Sequence, residues 1–135
     1  MIYAVIDTNV FVSSFLTRHD DAATLRVISA MGSGKYIPLY CEEILSEYRE
    51  VLSRPKFGIA SAVVDALIEK IRQFGKETQP AESGLDFPDE EDRVFYEVVL
   101  THTEEGAKLI TGNAKHFPKS PIVISAAEFC EMVGL

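Results

Sequence analysis

Cysteine is scarce in this chain. Cys41 and Cys130 stand far apart, with no CxxC spacing and no Cys/His pattern around them. That argues against a disulfide framework or a thiolate metal site and reads as two buried small hydrophobes. Histidine is nearly as rare: His19, His102 and His116 show no HExxH or related spacing, which counts against the histidine-rich metal classes. Glycine and proline number 8 and 6 in 135 residues, too few for a collagen-like or disordered chain. No apolar run approaches the roughly 20 residues that cross a bilayer; the longest lie near Ile2 to Ile6 and Ile122 to Ile124. No membrane span is therefore expected. The N-terminus enters a strand-like run without a secretory leader pattern, so the cytoplasm is the expected compartment. Basic residues are also short, 13 against 21 acidic, for a formal charge of −8. This is not the balance of a passive polyanion binder. It leaves room for a nuclease whose carboxylates gather around divalent cations, which reverses the local sign.

What is present is a hydrophobic content of 47%, enough for a real core in one compact domain over 1–135. Ile2-Tyr3-Ala4-Val5-Ile6 is an uninterrupted apolar run of the kind buried on both faces of a parallel sheet. A short helix over Val10 to Leu16, capped by Thr8 or Asn9, and a second over Ala22 to Met31, capped by Asp20 or Asp21, are expected next. Tyr36 to Leu39 reads as a strand, with Pro38 suggesting a strand edge or start. Helical spacing runs over Cys41 to Leu52 and over Ile59 to Gly75, where Ala60, Val63, Val64, Leu67, Ile68, Ile71 and Phe74 form a stripe. Lys76 to Phe87 reads as a loop. Pro88 opens an acidic helix start running to about His102. Leu109 to Thr111 and Ile122 to Ile124 read as strands, and Ala126 to Val133 as a last helix. Strands alternating with helices imply an α/β sandwich around a parallel sheet.

Ligands of such a sheet lie beyond the carboxyl ends of its strands, where Asp7 and Asn113 fall. Asp7 can equally be a turn or helix-capping residue. At roughly 100° per residue, Glu47 lies at the border of the stripe Ile44, Tyr48, Val51, whereas Glu43 and Glu50 lie outside it. A partly paired surface glutamate is the plainer reading of Glu47. Asp92 shares a helix face with Phe95, Tyr96 and Val99, with Asp89 one turn earlier, while Glu90, Glu91 and Glu97 point elsewhere. Acids in a first helical turn also suit the helix dipole, which does not explain why two align with the apolar face. Three segments thus each offer an inward carboxylate. Clustered like charges are costly unless cations neutralise them, so a hard-cation site for Mg²⁺ or Mn²⁺ is the economical account. The matching chemistry is phosphodiester hydrolysis.

Asp7-Thr8-Asn9-Val10 after a starting strand, Glu47-Tyr48 with Val51-Leu52, the Pro88 to Asp92 helix start, and Ile110-Thr111-Gly112-Asn113 followed by His116-Phe117-Pro118 together resemble the PIN-domain family over essentially the whole chain. The likeness is greatest to the stand-alone bacterial and archaeal branch of toxin components of toxin–antitoxin pairs. The resemblance implies a three-layer α/β/α sandwich with a five-stranded parallel sheet, and a Mg²⁺- or Mn²⁺-dependent endoribonuclease acting on single-stranded RNA. It matches Asp7, Glu47 and Asp92 to the family's three principal acids and Asp89 to an extra acid, a further metal ligand. Asn113 falls at the fourth position, often Asp in the family; an amide there is a weaker ligand and puts a second metal in doubt. Thr8 or Asn9 would orient Asp7, and Thr111 would act similarly near Asn113. A homodimer and a small antitoxin partner are also implied.

Gly112-Asn113 reads as well as a plain strand-end turn, and His116 beside Phe117-Pro118 as a structural histidine. Arg18, Lys115 and Lys119 are candidate phosphate contacts. Two other functions compete with the nuclease. A haloacid-dehalogenase-type phosphatase also places Asp after its first strand, but within DxDx[TV], where Asn9 here replaces the second acid. A catalytically weak PIN-fold binding module is the non-enzymatic alternative.

Overall fold

The computed structural model describes residues 1–18 and 22–135. Among these residues five strands, β1 (Tyr3–Ile6), β2 (Ile37–Tyr40), β3 (Lys76–Glu77), β4 (Lys108–Ile110) and β5 (Val123–Ile124), form one parallel sheet in the order β3-β2-β1-β4-β5. Val5 pairs with Leu109 and Leu109 with Val123. Six α-helices among the described residues cover it: α1 (Thr8–Leu16), α2 (Ala23–Ser29), α3 (Glu42–Leu52), α4 (Ser61–Phe74), α5 (Arg93–Val99) and α6 (Ala126–Val133). This is the expected α/β/α sandwich. Ala4, Val5, Ile6, Leu109 and Ile110 are buried, as the continuous apolar runs require of central strands. Cys41 and Cys130 are free thiols in the core. Buried His102 lies between the Thr101 hydroxyl, 2.7 Å away, and Lys76 Nζ, 3.2 Å away.

Several local expectations change. β2 is not an edge strand: it lies between β1 and β3, and Pro38 pairs with Ala4. Ile37 N–H donates to the carbonyl of Ile2, just before β1, at 2.8 Å, so the donor that Pro38 lacks would face the other side, before β3 begins opposite Leu39. The loop expected from Lys76 begins instead with β3. Only glycine fits just before it, since a Cβ on Gly75 would stand 2.5 Å from Ile71 O and 2.7 Å from Pro38 O. On α4, Val64, Leu67, Ile68 and Ile71 are buried, whereas Val63 and Phe74 at the stripe's borders, and Ala60 at the cap before the helix, are exposed. The helix expected from Pro88 to His102 breaks into a 3₁₀ turn (Glu90–Asp92), α5, and a second 3₁₀ stretch (Leu100–Glu105) kinked at His102. Neither Thr8 nor Asn9 caps α1, because Asp7 holds the cap position. The expected caps Asp20 and Asp21, and His19, lie outside the described residues. The last helix has the expected bounds, set by a capping box in which Ser125 and Glu128 satisfy each other's backbone amides.

Candidate active site

Chain order turns back at the middle of the sheet: β2 and β3 lie on one side of β1, β4 and β5 on the other. Ligands of open parallel sheets bind at such a switch point. Asp7 emerges there from β1 and Thr111 from β4, with Asp7 N–H donating to Ile110 O at 2.9 Å. The Asp7 carboxylate makes no helix-capping hydrogen bond. Its Oδ2 accepts from the Thr111 hydroxyl at 2.7 Å, and Thr111 Oγ1 accepts in turn from Asn113 N–H at 2.9 Å. Thr111 therefore orients Asp7 directly. Asn9 acts more on backbone than on Asp7: its Oδ1 accepts from Gly112 N–H at 3.1 Å and ties the first turn of α1 to the loop after β4.

Three aromatic rings hold the helices beneath these acids. Phe11 of α1 meets Tyr48 of α3 edge-on at 4.7 Å, and Tyr48 meets Phe95 of α5 at 6.0 Å. All three are essentially fully buried, and the Tyr48 hydroxyl donates to the carbonyl of Ile6, the residue before Asp7. Glu47 precedes Tyr48 and Asp92 lies three residues before Phe95, so one packing cluster sets the position of all three acids. Asp7, Thr8, Asn9, Glu47, Asp89 and Asp92 line a single cleft of about 350 Å³.

The acids are not equivalent. Asp7 is buried and Asp92 is 15% exposed at its side chain. Burial raises the Asp7 carboxyl above its usual range, and the Thr111 bond opposes this. Asp92 is pushed up to about 6, first by burial and then by the charge of Asp7, with His116 working in the other direction. Its Oδ2 is buried with no hydrogen-bond partner; His116 Nδ1 lies 3.4 Å away, an ion-pair contact only when that ring is protonated. Glu47 is half-buried and also raised, by burial and then by Glu91 and Glu50. The structure thus brings Asp7 and Asp92 together, with Glu47 at the same cleft among a different set of charges. Glu91, expected to point away, acts on both Glu47 and Asp92. Asp89 is exposed and caps the 3₁₀ turn by accepting from Glu91 N–H at 3.0 Å.

Other expectations fall differently. The Thr8 hydroxyl is buried without a partner. Asn113 does not line the cleft; its Nδ2 lies 2.9 Å from His116 Nε2. His116 belongs to the cleft, not merely to the turn. Arg18, Lys115 and Lys119 do not line it, and the two lysines border a separate hollow beside Phe117 and Pro118. Arg54 and Phe57 do line it and carried no signal in sequence, because only the return of the chain after α3 brings them there. Among the described residues, no three His, Cys, Asp or Glu side chains form a ready-made metal cage.

Residues 3–115 match the PIN domain family, and the chain belongs to it. PIN domains are as a class nucleases, generally metal-using. Among solved structures, the fold is similar to a chain in the crystal structure of VapBC2 from Rickettsia felis bound to a DNA fragment from their promoter. That likeness has a TM-score of 0.55 and 16% identity and covers 93% of this chain and 97% of the other. No curated protein matches the chain. No helix among the described residues is long and apolar enough to cross a membrane.

Proposed function

We propose that residues 1–135 act as one domain, a divalent-metal-dependent endoribonuclease cutting single-stranded RNA, the toxin of a toxin–antitoxin pair in the cytoplasm. One observation carries the catalytic part: Asp7 and Asp92 meet at the switch point of the sheet, the second with a buried, unpartnered oxygen and a carboxyl raised to about 6. A buried and a half-buried carboxyl that repel each other, the second with a buried, unused acceptor, suit a hard cation better than any hydrogen-bond donor present. Mg²⁺ and Mn²⁺ keep several waters and need few protein oxygens. Asp7 and Asp92 would hold such an ion, with Glu47 acting from farther out in the cleft. When bound, the ion supplies activation of water and shielding of phosphate charge.

The residues of the chain divide the remaining work. Thr111 fixes the rotamer of Asp7 through Oδ2, and the Phe11–Tyr48–Phe95 cluster keeps the three helices from separating under the repulsion of their acids. His116 offsets the charge of Asp92. The antitoxin partner rests on the family resemblance and on the likeness to VapBC2, and the homodimer on the resemblance alone. Membership in the PIN family sets aside the haloacid-dehalogenase alternative.

The test is cleavage of a mixed single-stranded RNA pool at low salt with Mg²⁺, Mn²⁺ or EDTA. Cleavage that disappears in EDTA and in Asp7→Asn is the expected result. A folded wild-type chain that never cleaves, or cleavage equal in the variant, removes the nuclease reading in favour of a binding module.

A further inference from the structure

We infer that Arg54 and Phe57, at the rim of the cleft, form a nucleotide subsite in which an unpaired base stacks on the Phe57 ring while an adjoining phosphate takes the Arg54 guanidinium from Glu50. The inference rests on the nuclease reading of the cleft and adds to it a device that selects single strands.

Phe57 is placed by a rigid turn. Pro55 opens the 3₁₀ segment Pro55–Phe57, Phe57 N–H donates to Arg54 O at 3.0 Å, and Gly58 closes the turn at φ +64° with its N–H on Pro55 O at 3.1 Å. Proline fixes one end of this turn, and glycine supplies the left-handed conformation at the other. The ring so held is half-buried, lines the acidic cleft, and is not among the partly buried hydrophobics that pack against the core. Its ring contact is a cation, Lys56 Nζ, 5.1 Å from the centroid. An aromatic side chain held at the mouth of a polar cleft without core packing is a stacking platform, since every base offers a π-face. A base within a duplex is already stacked on its neighbours, so only an unpaired one can reach the ring.

Arg54 supplies the charge. Among the described residues that line the cleft, it and His116 are the basic ones. The guanidinium holds the Glu50 carboxylate with Nη2 at 2.8 Å and Nε at 3.3 Å, both partners largely exposed. Such a surface pair contributes little, and a phosphate presents the same fork of oxygens to the same donors. Glu50 thus occupies the position a phosphate would take and keeps the guanidinium oriented until RNA arrives. The arrangement answers a problem posed by the acids, which would otherwise repel the polyanion on every side.

The experiment uses the full chain carrying Asp92→Asn, which blocks turnover, and a single-stranded eight-nucleotide RNA containing 2-aminopurine. Binding with quenched fluorescence is expected. Phe57→Ala should abolish the quench and weaken binding about tenfold, with Phe57→Tyr restoring both. Arg54→Ala should lower the slope of log affinity against log salt by about 0.7 while leaving the quench, and Glu50→Gln should tighten binding. The same RNA annealed to its complement should bind weakly and in a way indifferent to Phe57. No binding of the single strand, or binding unaffected by Phe57→Ala and Arg54→Ala, overturns the subsite. Cleavage by the unmodified chain separates the two ideas: cleavage with a neutral Phe57→Ala defeats the subsite alone, and Phe57-dependent binding without any cleavage defeats the nuclease reading alone.

Discussion

A carboxyl buried beside another carboxyl keeps its proton longer than it would in water, and Asp92 does so up to about 6. The unfolded chain releases that proton near the ordinary value of 3.8. Between these two values the folded state binds more protons, so this group's contribution to stability is full below the lower one and falls as pH rises through the upper one. Asp92→Asn should therefore stabilise the protein at pH 7, by about 1–3 kcal/mol, in urea unfolding, and the gain should shrink towards pH 4. The same substitution should abolish cleavage. Thr111→Val removes the hydroxyl that holds Asp7 Oδ2 and receives Asn113 N–H. It should cost about 1–3 kcal/mol and most of the activity, with Thr111→Ser recovering both. At this scale the sequence was legible where a residue's phase on its own element decides its place: Asp7 at a strand end, Glu47 at a stripe border, Asp92 in line with Phe95. It was silent on Arg54, Phe57 and the true neighbour of His116, because those contacts join segments that no local spacing relates.

Elements were legible in proportion to how much of their own burial they decide. The continuous run of β1 and the capped helix α6 need no help from neighbours to be recognised. β3 is two polar, exposed residues whose pairing with β2 exists only because Gly75 lets the chain pass against Ile71 O and Pro38 O. Both obstacles are backbone, so neither can rotate aside, and Gly75→Ala should destabilise by about 1–3 kcal/mol with loss of amide protection at Thr78, whose N–H donates to Tyr40 O at 2.7 Å. The acidic segment from Pro88 carries helix-start chemistry, yet Asp89 caps a tight turn there and α5 begins only at Arg93. Tyr48 joins element to site. Tyr48→Phe leaves the ring cluster in place but removes the hydroxyl from Ile6 O, and a loss of about 1 kcal/mol is expected from urea midpoints at unchanged m-value.

For the whole molecule, a formal charge of −8 and an acid-lined cleft oppose RNA unless the charge at the centre of the cleft is reversed. A bound divalent cation is the proposed agent of that reversal, and the Asp7–Asp92 pair its proposed seat. Both acids hold protons more tightly than usual, so the cation competes with protons and binds best above pH 6. At a hundredfold excess over its dissociation constant, a ligand of the folded state adds about 2.7 kcal/mol, several degrees for a chain of this size. The most direct measurement is thermal unfolding at pH 7.5 and pH 5 over a Mn²⁺ titration, for wild type, Asp7→Asn and Asp92→Asn. A saturable rise in Tm is expected for wild type at pH 7.5, much reduced at pH 5 and absent in both variants. No rise in the wild type, or an equal rise in all three proteins, contradicts a cation seated on Asp7 and Asp92.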